Sequence, residues 1–208
     1  MPISKLLLIT LFSTLIMSGC STNPTPPKQV YKDACKLFQF DKEWYQAASK
    51  AEKRWGTPKA ILLAFVHQES RFTSNAKPKR EYLLGLIPLP RRSSAYGYCQ
   101  AKDAVWAEYK YATGNRFASR DDITDAMDFI GWYNHLSHVR LGISKRDAKR
   151  LYLAYHEGRG GYKRRTYLKK PWLMKVANKV AYQARIYQKQ IRRCKSRYQC
   201  TDPWPFCR

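Results

Sequence analysis

The chain has 208 residues, with 39 Lys and Arg against 15 Asp and Glu, for a formal net charge of +24. That length is enough for one domain with a real core, and no internal repeat is visible. The charge selects polyanionic partners, with nucleic acid the first suspect if the chain stays in the cytoplasm.

The first element argues against the cytoplasm. Residues 1–19 read as a leader: Lys5 supplies a positive start, "LLLITLFSTLIM" is an apolar run too short for a membrane span, and "SGC" brings small residues to Cys20. The pattern resembles a bacterial lipoprotein signal, with Met17 where leucine is more usual. That resemblance implies a lipid anchor on Cys20, and Ser21 beside it implies an outer-membrane lipoprotein facing the periplasm. Ordinary cleavage, with Cys20 a plain thiol, is the alternative. Residues 20–34 read as a tether, since Ser21 to Gln29, "STNPTPPKQ", is Pro-rich, polar and without hydrophobic periodicity. The domain is expected over 35–193 and a Cys/Pro-rich tail over 194–208. No later segment is long and apolar enough to span a bilayer. Export removes nucleic acid as a partner and leaves anionic cell wall, phosphate-bearing lipid or cell-envelope machinery.

From there the pattern is helical. Asp41 is placed to cap "KEWYQAASKAEKRW", which Gly56 ends. Thr57 as N-cap, with Pro58 next, starts the helix containing "AILLAFVHQESRF". In it Leu62, Phe65, Val66 and Glu69 stand at i, i+3, i+4 and i+7, so a glutamate sits on the core-facing stripe or at its edge. A carboxyl buried without a partner holds its proton, which is the property a general acid needs. A helix end emerging into solvent is the plainer reading. "NAKPKREYLLGLIPLPRRSS" is a loop with apolar patches. "AKDAVWAEYKYAT" is a helix closed by Gly114, and Asp121 is placed to cap "DITDAMDFIGWYNHLSHV". Ser144 with Asp147 resembles a capping box before "KRDAKRLYLAYHE", which stops at Gly158. Pro171 opens a long helix, apolar on one face and strongly basic on the other. A core helix with a solvated face is one use of it, and an anchor for anionic surface is the other. The expected class is all-α.

Three short signals then fall in order: Glu69-Ser70 at a helix end, "SSAYGYCQA" from Ser93 to Ala101, and "LAYHEGRGGY" from Leu153 to Tyr162. Together they resemble the soluble lytic transglycosylases of the SLT type, in the lysozyme-like superfamily, whose motifs are E-S, G-L-M-Q and A-Y-N-A-G. The resemblance spans Trp55 to Tyr162. It implies a lysozyme-like single domain, here with an added basic C-terminal helix, acting on peptidoglycan glycan strands without cofactor or metal. By position, Glu69 matches the catalytic acid/base. Ser70, Gly97, Gln100 and Tyr155 match residues that line the substrate cleft, and Ser94 loosely matches a serine that contacts the glycan. His156 stands where the family has asparagine and is expected to offer the same hydrogen bond. Tyr96 and Tyr98 are expected against sugar, with core packing the competing use for them, as for Trp132 and Tyr133.

There are departures. Tyr98-Cys99 replaces Leu-Met, His156-Glu157 replaces Asn-Ala, and the stretch from Glu69 to Gly97 is longer than the family's. In the family, one glutamic acid protonates the bond between N-acetylmuramic acid and N-acetylglucosamine. It then takes the proton of the muramic 6-hydroxyl, closing a 1,6-anhydro ring. A water-using muramidase would need a second carboxylate, for which Glu81, Asp103 and Glu157 are the candidates. A non-catalytic wall-binding or assembly lipoprotein is the third reading.

Five cysteines follow Cys20. In an oxidising compartment Cys35 with Cys194 would tie the two ends of the domain, and Cys200 with Cys207 would close the tail, leaving Cys99 unpaired. His67 and Glu69 form an H-x-E, but the P-C-x-x-C of zinc deaminases is missing. His135 and His138 are expected to be structural.

Overall fold

The computed structural model describes residues 25–84 and 86–199. The leader, Cys20 and the expected Cys200–Cys207 bridge lie outside the described residues. Seven α-helices account for most of the rest: α1 (Ala34–Phe40), α2 (Lys42–Trp55), α3 (Lys59–Ser70), α4 (Asp103–Thr113), α5 (Ile123–Leu141), α6 (Ala148–Lys163) and α7 (Pro171–Gln199). Two short strands, β1 (Tyr82–Leu83) and β2 (Ile87–Pro88), form a small antiparallel hairpin in the segment expected to be loop. The all-α expectation describes everything else. No helix is long and apolar enough to cross a membrane among the described residues.

Helix α3 is the axis of the fold. Every residue from Ala60 to His67 is buried, so it is apolar all round and must be enclosed on all sides. Helices α2, α5 and α7 supply that enclosure. Helix α7 turns a strict stripe toward it, Leu173, Ala177, Val180, Ala184, Tyr187, Ile191 and Cys194, which alternates steps of four and three. Its basic residues face solvent, the arrangement of a core helix with a solvated face.

Helix ends show where local rules held. Asp41 accepts the Glu43 N–H at 2.8 Å, and Gly56 (φ 77°), Gly114 and Gly142 close their helices in the left-handed conformation. Three expected caps moved. Thr57 is wholly buried and does not cap α3. Instead the Glu52 carboxylate from α2 accepts the Lys59 N–H at 3.2 Å and pairs with the Lys59 ammonium. Helix α5 is capped by Asp122, one residue later than expected, through the Asp125 N–H at 2.9 Å. Asp121 instead accepts the Tyr96 hydroxyl at 3.1 Å. Helix α6 starts at Ala148 with Asp147 as its cap, not with a box at Ser144. At Gly158 (φ 74°) it kinks rather than stops, and helix resumes to Lys163.

Both ends of the expected domain extend beyond their predicted edges. Within the segment read as tether, Lys28–Val30 form a 3-10 helix and the Tyr31 ring meets Phe72 edge-on at 5.3 Å. Gln190 accepts the Ala34 N–H and donates to the Lys32 carbonyl, both at 2.9 Å. At the other end, α7 carries past residue 193 to Gln199. A disulfide joins Cys35 to Cys194, and Cys99 is a buried free thiol, as expected from the sequence.

Candidate active site

Glu69 occupies the last turn of α3. The chain then leaves sharply: Arg71 (φ 52°) and Phe72 (φ 62°) are both left-handed, a conformation that costs non-glycine residues about 1 kcal/mol or more each. The turn drives Phe72 fully into the core, where it stacks on His67 with ring centroids 5.3 Å apart. Packing therefore holds the end of α3 in place, and the glutamate with it.

The second wall is the glycine turn. Gly97 (φ 75°) donates its N–H to the Ala76 carbonyl at 2.9 Å, and a Cβ there would stand 2.0 Å from the Arg120 carbonyl oxygen. Only glycine fits, by conformation and by space. The third wall is α6, where Tyr152 and Tyr155 stand at i and i+3 on one face. Both rings pack edge-on against Phe65 at 5.3 Å, one turn before Glu69 on α3. The Tyr155 hydroxyl donates to the Cys99 carbonyl at 2.6 Å, joining the second wall to the third.

Glu69 lies among these groups, and its charge acts on Tyr152, Tyr155 and Cys99 alike. The residue is only partly accessible. Loss of hydration raises its pKa from 4.5 to about 7, and its hydrogen bond with the Tyr152 hydroxyl pulls the other way. Burial pushes the Cys99 thiol up to about 12, so it is a neutral packing group and not a nucleophile.

The other residues singled out from sequence divide clearly. Tyr155 belongs to the cluster. Ser70 is buried and its hydroxyl donates to the Val66 carbonyl at 3.1 Å, which commits it to the helix and not to the cleft. Tyr98 is 2% exposed and packs edge-on against Trp44 at 5.7 Å; it is a core aromatic, not a sugar platform. Gln100 braces the turn, its Nε2 donating to the Ala76 and Gly97 carbonyls at 2.9 Å each, so only its amide oxygen is left to face a ligand. Ser94 accepts the Asp103 N–H at 3.1 Å and so steadies the start of α4. Tyr96 lies between Lys77 and Arg120, cations over its ring at 5.2 and 5.3 Å. Trp132 and Tyr133 are core, and Tyr133 donates to the Ala154 carbonyl at 3.2 Å.

His156 is partly exposed and meets the exposed Trp172 edge-on at 5.2 Å. It also contacts Glu157 at 3.1 Å. Glu157 is nearly enclosed and pairs with Lys170 at 2.8 Å, with the Thr166 hydroxyl as a further donor. Despite burial, those donors hold its pKa down at about 2. Glu81 pairs with Arg92 at 2.9 Å and Asp103 with Arg120 at 2.8 Å, both at the surface. Tyr152, which no motif singles out, is the further residue at the carboxyl; the signal for it is its place three residues before Tyr155 on one helical face.

His67, beside Glu69 in sequence, is buried, stacked on Phe72 and near Arg71. Its pKa is lowered to about 4, so it stays neutral. His138 contacts the Ile143 carbonyl at 2.8 Å and His135 leans on Trp55, both structural positions. No group of three His, Cys, Asp or Glu is placed to hold a metal among the described residues. A groove of about 970 Å³ lies elsewhere, between α7 and the starts of α3 and α6, and Glu69 is not on its wall.

A family model described as "Transglycosylase SLT domain" matches residues 8–194. No curated protein matches the chain, and no solved structure does.

Proposed function

The chain belongs to the transglycosylase SLT domain family, with a lysozyme-like all-α fold, and from that premise we propose that it cleaves peptidoglycan with Glu69 as its one acid and base. The observation that carries this is the carboxyl at the end of a fully packed helix, desolvated so that its pKa is raised to about 7. Near neutral pH a large fraction of it is protonated, and the group can both give and take a proton.

In the proposed reaction Glu69 protonates the oxygen linking N-acetylmuramic acid to N-acetylglucosamine, and the bond from that oxygen to the muramic C1 breaks. The glutamate carries the negative charge while the sugar passes through an oxocarbenium-like state. The muramic 6-hydroxyl then bonds to C1 and gives its proton to Glu69. The acid is restored, a 1,6-anhydro ring is left, and no water is consumed. Tyr152 holds the carboxyl from the α6 side, Tyr155 ties α6 to the Cys99 carbonyl, and the turn braced by Gln100 keeps the second wall in place, a positioning role. This single-carboxylate route is supported by the state of the alternatives: Glu157, Glu81 and Asp103 are each paired with a cation.

Mass spectrometry of muropeptides released by the purified chain tests the reading. Anhydro products, one water lighter than hydrolysis products, and their loss in Glu69→Gln are expected. Water-containing products would make the chain a muramidase, and wall binding unchanged by Glu69→Gln without any release would make it a binding lipoprotein. The leader supports export and an acyl group on Cys20 at the outer membrane. Radiolabelled palmitate entering the parent but not Cys20→Ala is the expected result.

A further inference from the structure

The segment between α3 and the Gly97 turn carries a hairpin that the core does not use. Tyr82 pairs with Pro88 and Leu83 with Ile87, the Leu86 N–H closes the turn on the Leu83 carbonyl at 3.1 Å, and the Leu89 N–H meets the Glu81 carbonyl at 2.8 Å. An antiparallel ribbon commonly turns one apolar face to the core and one polar face to water. Here both faces are apolar and both lie outside. Tyr82, Leu83, Leu84, Leu86 and Ile87 are each more than half exposed, Leu84 at 87% and Leu86 at 83%. A ribbon of two strands is marginal alone in water, and a contiguous apolar patch of this kind marks a surface that meets something.

The surrounding charges indicate what it meets. Lys77, Lys79 and Arg80 precede the hairpin, Arg91 and Arg92 follow it, and all five are exposed. The acid of the segment, Glu81, is already paired with Arg92. From base to tip the order is cations, then apolar side chains alone. A lipid leaflet approached from water presents the matching order, phosphates first and acyl chains behind them. A protein groove would require one apolar face, not two, and a polyanionic polymer would leave the leucines in water.

We infer that the hairpin carried by residues 77–84 and 86–92 is a docking element for an anionic lipid surface, with Leu84 and Leu86 entering the acyl boundary and the basic residues at its base meeting headgroup phosphates. The inference requires neither an acyl group on Cys20 nor any particular reaction at Glu69. It does tie membrane contact to the candidate site. The Ala76 carbonyl, one residue before the basic base, accepts both the Gly97 N–H and the Gln100 amide at 2.9 Å. A docked hairpin is therefore linked, through the Ala76 carbonyl, to the turn that carries Gly97 and Gln100.

The test places a dansyl-bearing amino acid at position 86 of the full chain, mixed with vesicles of phosphatidylglycerol and phosphatidylethanolamine or of phosphatidylcholine alone. On the anionic vesicles the emission should brighten, shift to the blue and be quenched by lipids with a nitroxide on the acyl chain. The shift should weaken at about 1 M salt, where screening extends only about 3 Å. Combining Lys77→Ala, Lys79→Ala, Arg80→Ala and Arg91→Ala should lower vesicle affinity about fivefold per charge removed. Because the dye reads its own position, attachment through the leader or an acyl group does not imitate the shift. Emission that stays aqueous on anionic vesicles overturns the inference, and so does an equal shift on phosphatidylcholine. Far-UV circular dichroism, expected unchanged at these exposed positions, separates lost docking from lost fold.

Discussion

Two carboxylates, Glu69 on α3 and Glu157 on α6, are both taken largely out of water and end in opposite states. At Glu69 nothing positive answers the desolvation: no ion pair forms there among the described residues, and the pKa rises to about 7. At Glu157 a lysine, a hydroxyl and a histidine answer it, and the pKa falls to about 2. Burial alone therefore does not make an acid. What distinguishes the candidate catalyst is burial among tyrosines, with no cation to hold the charged form. Glu157, at the position where the resemblance leads one to expect alanine, ties α6 to the segment carrying Lys170 through that ion pair.

The largest expected effect breaks the comparison at its catalytic member. Glu69→Gln should lower muropeptide release by about 1,000-fold or more, the range in which positioned acids contribute, with circular dichroism unchanged. Thermal unfolding against pH sharpens the contrast through its signs. Glu69 has a folded pKa above its ordinary value of 4.5, so its contribution to stability is complete below about pH 4.5 and is lost as pH rises through about 7. Glu69→Gln should therefore be more stable than the parent at alkaline pH, by on the order of 3 kcal/mol. Glu157 has a depressed folded pKa, so its contribution is complete above about pH 4.5 and fades as pH falls toward 2. Glu157→Gln should flatten the acid limb of the stability curve.

A smaller effect is expected at Lys170→Met, which leaves Glu157 short of its cation and should cost about 2 kcal/mol in urea unfolding at pH 7. It should leave the pH dependence of release unchanged, because Lys170 acts on the anchor and not on the acid. The smallest effect belongs to Tyr152→Phe. Removing that hydroxyl takes away a group that lowers the Glu69 pKa, so the alkaline limb of activity should move to higher pH with little loss at its plateau. A limb that stays in place would mean that Tyr152 does not touch the acid.

Much of the fold was legible in the sequence because its signals are local. Gly56 and Gly114 end helices by their own backbone preference, and Asp41 caps the helix that follows it directly. The apolar run of α3 predicts burial, and burial predicts the unusual glutamate. Where the sequence reading failed, a distant residue intervened. Thr57 lost its cap because Glu52, one helix earlier, reaches the same N–H. Asp121 was drawn away by the Tyr96 hydroxyl. Within the candidate site, motif position singles out Glu69 and Tyr155, which the fold brings near one another, but does not say which way neighbouring side chains turn. Tyr98 follows Gly97 and Ser70 follows Glu69, yet both turn into the protein, because a turn or a helix sends adjacent residues to different faces. The hairpin escaped because its strands are two residues long and lack the alternation that marks a longer strand.

The bridge between Cys35 and Cys194 has a mechanical consequence. It joins the start of α1 to the far part of α7, across a sequence separation of 159 residues. Tension entering at the N-terminal segment, as it would if that end were fastened to a membrane while the cleft gripped a taut polymer, divides at Cys35 between the peptide chain and the sulfur link. The link delivers its share to α7, the long strut lying along α3, so α1 cannot peel away before that strut is pulled loose. The helix holding Glu69 thus lies against a neighbour that is covalently tied to the N-terminal segment.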